Sequence, residues 1–68
     1  MNFMIELEAE SDGRWIAEVA DLPGVLAYGK TRDDAMVRVQ ALALRVLAER
    51  FERGEAAPAL LSVSFRAA

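Results

Sequence analysis

Between Thr31 and Gly54 the chain runs for 22 residues without a proline or a glycine, and Ala and Leu are abundant in it. With both helix-breaking residue types missing, the segment is predicted to form one continuous helix over about residues 32–53. At 1.5 Å per residue such a helix is about 33 Å long. In a chain of 68 residues, a rod of that length must lie across something flat to bury its apolar side. Thr31 followed by Asp34 resembles a capping box, with Asp where Glu is more usual. Asp33 and Asp34 suit the positive end of the helix dipole, Arg50 and Arg53 suit the negative end, and Gly54 is a natural stop.

The rest of the chain supplies the flat surface. Phe3, Ile5, Leu7 and Ala9 alternate with Met4, Glu6, Glu8 and Glu10, a period of two that marks a strand with one wet face. Ser11-Asp12-Gly13 reads as a tight turn. Over residues 14–20, Trp15, Ala17 and Val19 then alternate with Arg14, Ile16 and Glu18. In Asp21-Leu22-Pro23-Gly24, proline presets the second position of a type II turn and glycine supplies the positive φ of the third. A short third strand follows over residues 25–28 and ends at Gly29. After the helix, a loop from Glu55 to Pro58 leads into a fourth strand over residues 59–66, where Leu61, Val63 and Phe65 alternate with Leu60, Ser62, Ser64 and Arg66. A right-handed crossover through the helix brings strand four parallel to strand one. The expected fold is a single α+β domain over residues 1–68: βββαβ, a four-stranded mixed sheet in the order 3-2-1-4 with one helix on one face.

A chain this short buries only about 60% of its unfolded surface, and small domains lean on disulfides, metals or oligomerisation. There is no Cys and no His, which excludes a disulfide framework, a thiolate metal site, the commonest transition-metal ligand and the usual general base. Oligomerisation remains. On the helix, Ala35, Met36, Val39, Leu42, Ala43, Val46 and Leu47 form a broad apolar stripe suited to the sheet. A second stripe, Val37, Ala41, Leu44, Ala48 and Phe51, is separated from it by Gln40. Together they exceed the roughly 100° that a core-facing helix needs. The second stripe is therefore expected to be a contact between copies of the chain, a homodimer or larger. The competing expectation is a deeply seated helix whose Phe51 closes one end of the core.

The formal net charge is −3, and the first 29 residues hold Glu6, Glu8, Glu10, Asp12, Glu18 and Asp21 against Arg14 alone. That balance disfavours direct nucleic-acid binding. It suits a basic protein partner, with Glu6, Glu8, Glu10 and Glu18 as the acidic surface, and it equally suits a solvated strand face. No signal peptide is recognised, because the opening residues lack a basic start and Glu6 interrupts the apolar run. No stretch approaches the roughly 20 apolar residues of a membrane span. A soluble, cytoplasmic protein without membrane contact is the expectation.

Across Asp12-Gly13-Arg14-Trp15, Asp21-Leu22-Pro23-Gly24, Gly29-Lys30-Thr31 and Asp33-Asp34-Ala35, the chain resembles the HicB antitoxin family. The resemblance spans about residues 3–65 and rests on the ordered set rather than on any one element. It departs at Val25, where the family often has Cys, and at Val37, Ala41 and Leu44, where the family is often polar. The resemblance implies a partly degraded ribonuclease-H-like domain that binds and occludes a HicA-like toxin, a small basic RNA-cleaving protein. Full-length antitoxins of this type commonly carry a C-terminal DNA-binding domain. None is expected here, since the sequence stops at Ala68, just after strand four. The alternative is a stand-alone homo-oligomeric accessory or structural protein without a toxin.

Candidate chemistry is thin. A ribonuclease-H-like site needs three or four convergent carboxylates around two metal ions about 4 Å apart. Here strand four offers no acid, and successive same-face carboxylates on strand one stand about 7 Å apart. Ser62 and Ser64 have no His or Lys placed to activate them, and Lys30, the only lysine, lies in a loop. Gly13, Gly24 and Gly29 are scattered turn glycines rather than a phosphate loop. Tyr28 is expected to pack with a wet hydroxyl, and Trp15 to anchor the hairpin core or to serve as an exposed hot spot. No catalytic, cofactor-binding or metal-binding residue is assigned, and no enzyme is expected.

Overall fold

The alternating segment at the start of the chain is strand β1 (Asn2–Ala9), with Phe3 and Ile5 buried and Met4, Glu6 and Glu8 exposed. In the computed structural model, which describes residues 1–55 and 62–68, it is followed by β2 (Trp15–Val19), β3 (Leu26–Gly29), helix α1 (Arg32–Glu52) and β4 (Ser64–Ala67). The sheet order is β3-β2-β1-β4, antiparallel except for the parallel pair β1 and β4. This is the mixed α+β architecture read from the sequence.

Turn chemistry fixes the register. The Gly13 N–H donates to the Glu10 carbonyl at 3.1 Å and the Glu10 N–H to the Arg14 carbonyl at 2.7 Å, with Gly13 at φ +91°. That is a three-residue hairpin loop with glycine in the left-handed position. The second reversal is a type II turn over residues 22–25. Its Val25 N–H donates to the Leu22 carbonyl at 3.0 Å, and Gly24 takes the positive φ. Because Val25 belongs to that turn, β3 starts at Leu26, one residue later than its apolar run, and includes Gly29.

The helix begins as its sequence demands. The Thr31 hydroxyl accepts from the Asp34 N–H at 3.0 Å. The return bond differs from a standard capping box. Asp34 reaches past Thr31 and accepts from the Lys30 N–H at 3.1 Å. At the other end, Gly54 N–H to Phe51 carbonyl (3.1 Å) and Glu55 N–H to Arg50 carbonyl (2.8 Å) form a Schellman motif.

Residues Ala35, Val39, Ala43 and Leu47 form the row that α1 buries, against Phe3, Ile5, Ala17, Val19, Leu22 and Val25. Three of the four are small or β-branched, so the helix lies close to the sheet. The approach is tightest at Gly29, where an added Cβ would overlap the Ala35 amide nitrogen and stand 2.8 Å from the Ala35 Cα. Trp15 is half-buried and packs against this core rather than projecting from it. Among the described residues, no polar or charged residue is buried.

Strand β4 is shorter than its alternation predicts. Its ladder begins where Asn2 meets Ser64 and ends where Ile5 meets Ala67. Upstream of that point the terminal ammonium donates to the Ser62 carbonyl at 2.9 Å, and Ser62 and Val63 lie outside the strand. The expected loop from residue 56 to 58 and the expected strand residues 59–61 lie outside the described residues. Phe65 stacks on Phe3, with ring centroids 5.8 Å apart, and the Ser64 hydroxyl donates to Asn2 Oδ1.

Candidate protein-binding surfaces

With α1 on one side of the sheet, the register decides what stands on the other. Glu6 faces Glu18 across β1 and β2, and Glu18 faces Leu26 of β3. The neighbouring row runs Glu8, Ile16, Tyr28, and Met4 lies beside Arg66 of β4. Glu6, Glu8 and Glu18 are exposed, as are Met4 (45%), Leu26 (39%) and Tyr28 (41%), while Ile16 is half-buried between its neighbours. Of the four acids expected on this surface, Glu6, Glu8 and Glu18 share the face. Glu10 lies past the end of β1, half-buried, at the start of the hairpin turn.

Two like charges directly opposite each other on a strand pair are destabilising. Glu6 and Glu18 are such a pair. The cations of this face stand at its margins. Arg66 is on β4, and the Arg14 guanidinium carbon lies 4.5 Å above the centre of the Tyr28 ring, a cation–π contact. Arg14 also donates through Nε to Asp12 at 2.8 Å. The Arg14 backbone N–H, then its side chain, hold the Asp12 carboxyl below its usual 3.8. Tyr28 therefore belongs to this open face, beneath an arginine, rather than to the core. The apolar members of the face were not gathered by sequence reasoning. Its signal was present in the Leu22–Val25 turn, which dictates that Ile16 and Tyr28 become cross-strand neighbours.

The second surface is the outer ridge of α1. Val37, Ala41, Leu44, Ala48 and Phe51 are all exposed, with Val37 at 66%, Leu44 at 50% and Phe51 at 36%. The ridge points away from the row that meets the sheet, and Phe51 keeps over a third of its surface in solvent rather than sealing the core. Gln40, which separates the stripes, is held by its own helix, its Nε2 donating to the Met36 carbonyl at 3.0 Å. One flank of the ridge is charged. Arg38 donates through Nε to Asp34 at 3.1 Å, and Arg53 lies 3.7 Å from Glu49. The Lys30 N–H, then Arg38, lower the Asp34 carboxyl from 3.8.

Among the described residues no three Asp or Glu side chains gather where a metal ion could be held. No helix among them is long and apolar enough to cross a membrane. Comparison with protein-family models, with curated proteins and with solved structures gave no match to this chain.

Proposed function

We propose that this chain is a HicB-like, antitoxin-type binding module of the cytoplasm. It docks a small basic RNA-cleaving protein on the uncovered sheet face and neutralises it by occlusion, without catalysis of its own. The carrying observation is the Glu6–Glu18 pair, two opposed carboxylates on a face that also exposes Met4, Leu26 and Tyr28. In the isolated chain the two charges repel. A lysine or arginine of a basic partner inserted between them relieves that repulsion and gains two charge-assisted contacts. Met and Tyr provide the apolar area that interfaces favour, and the surrounding field steers a cationic protein toward the face. The motif set from Asp12 to Ala35, and a βββαβ order that leaves one sheet face free, support the same reading.

The test is co-expression with a small basic polypeptide encoded beside this protein. The expected result is a co-purifying complex and rescue of growth from that polypeptide's toxicity. The Glu6→Lys, Glu18→Lys double variant should lose both while keeping its fold. The absence of such a neighbour, or full rescue by the double variant, would overturn the proposal.

A further inference from the structure

The outer ridge of α1 has a pattern that the sheet face lacks. Its spacing is 4-3-4-3 from Val37 through Ala41, Leu44 and Ala48 to Phe51, the a/d repeat of a two-helix seam. Large residues (Val37, Leu44, Phe51) occupy one of these positions and alanines (Ala41, Ala48) the other. All five are exposed.

We infer that this ridge is the docking site for the same ridge of a second copy, with the two helices antiparallel. Two observations choose that occupant and direction. The first is volume. Running the second helix in reverse, with the two-fold axis near residue 46, sets Leu44 against Ala48 of the second copy and Ala41 against its Phe51. The layers formed by Ala41, Leu44, Ala48 and Phe51 then each meet large with small, the arrangement that lets side chains interdigitate, while Val37 lies opposite position 55, beyond the end of the second helix. A parallel pair stacks Ala on Ala and Phe on Phe. The second is charge. The residues flanking the large positions are Arg38, Arg45 and Glu52. In the antiparallel register Arg38 faces Glu52 of the second copy, and the two-fold axis makes that pair twice. Arg45 meets its own copy near the axis, with Glu49 one turn along each helix to offset the repulsion. Arg38 engages Asp34 through its Nε alone, which leaves other guanidinium donors for the second copy.

The paired layers from residue 41 to 51 span about 15 Å of helix, so the buried area falls in the small class, below about 1,200 Å². The dimer is accordingly a weak, concentration-dependent one. It uses the side of the molecule opposite the sheet face, so a bound basic partner and a second copy do not compete.

Sedimentation velocity on the purified protein from about 10 µM to 1 mM, the range where weak complexes form, tests this. The wild type is expected to shift from monomer to dimer across the range. Leu44→Glu should stay monomeric with an unchanged circular dichroism spectrum. Arg38→Glu alone and Glu52→Arg alone should each weaken the dimer by about tenfold, since each turns two attractive pairs repulsive. An equimolar mixture of these two variants should recover wild-type association, because each substituted residue then faces its complement. Wild-type protein that remains monomeric throughout would overturn the inference. So would a dimer untouched by Leu44→Glu, or single-charge variants that weaken association and are not rescued by mixing.

Discussion

The uncovered sheet face carries Glu6, Glu8 and Glu18 with cations only at its margins, whereas the ridge of α1 is flanked by Arg38 and Arg45 toward one end and Glu49 and Glu52 toward the other. A two-fold axis brings a surface onto itself. Applied to the sheet face, it would press carboxylates against carboxylates. Applied to the ridge, it brings positive onto negative. A face of one sign suits a basic stranger, and a bipolar flank is complementary to a copy of itself.

Both surfaces depend on the seat of α1 against β3, so the largest effect is expected there. Gly29→Ala forces a Cβ into the Ala35 backbone and should cost about 3 kcal/mol, the upper range for overpacking. In a domain of this size that is most of the available stability. Thermal unfolding should show a large drop, and partner binding and self-association should fail together. Separate survival of either would break the link between the two faces. Thr31→Ala removes the hydroxyl that receives the Asp34 N–H and should cost about 1 kcal/mol by denaturant titration, leaving both surfaces in place.

A smaller effect sharpens the contrast, because its sign is opposite in two assays. Glu18→Lys replaces the repulsion with Glu6 by an attraction and should raise stability by about 0.5 kcal/mol, while it weakens docking of a basic partner. A variant that gains affinity, or loses stability, would show that the face works by other means. The smallest effect is the pH dependence of the two capped carboxylates. Asp12 and Asp34 titrate below 3.8 in the folded protein. The folded state thus binds fewer protons than the unfolded one, and their contribution is complete above about pH 5 and is lost as pH falls through 3.8 to the lowered values. Asp12→Asn with Asp34→Asn should flatten the acid limb of a stability profile. An unaltered limb would remove both from the account.

Much of the fold was legible because its signals are local. Alternation from Phe3 to Ala9, Pro23-Gly24, and the bracketing of α1 by Thr31 and Gly54 each act through bonds within four or five residues. The mixed sheet order followed from connectivity. What escaped sequence reading depends on neighbours remote in the chain. The Ile16–Tyr28 apolar patch is set by the local Leu22–Val25 turn, but it emerges only when that register is carried along both strands. Gly29 reads as a strand terminator until the helix backbone is laid over it. Strand β4 is cut to four residues by where its ladder with β1 begins, which its own alternation does not encode. For the candidate surfaces, the helix ridge was visible as a stripe and its exposure follows from geometry. The sheet face was visible only as acids, and Glu10 fell out of it because the turn claims its backbone.

The parallel pairing of β1 with β4 joins residues more than 60 positions apart. From Asn2 to Gly29 each strand pairs with the next one in sequence, so the hairpin and the type II turn can form a three-stranded meander before α1 is laid over it. The Met1 to Ser62 and Asn2 to Ser64 bonds span more than 60 positions and cannot close until β4 is available. Closing so wide a loop is slow compared with local pairing. Held to the sheet by non-local pairing with β1 alone, β4 is expected to be the first strand to lose protection in native-state amide exchange.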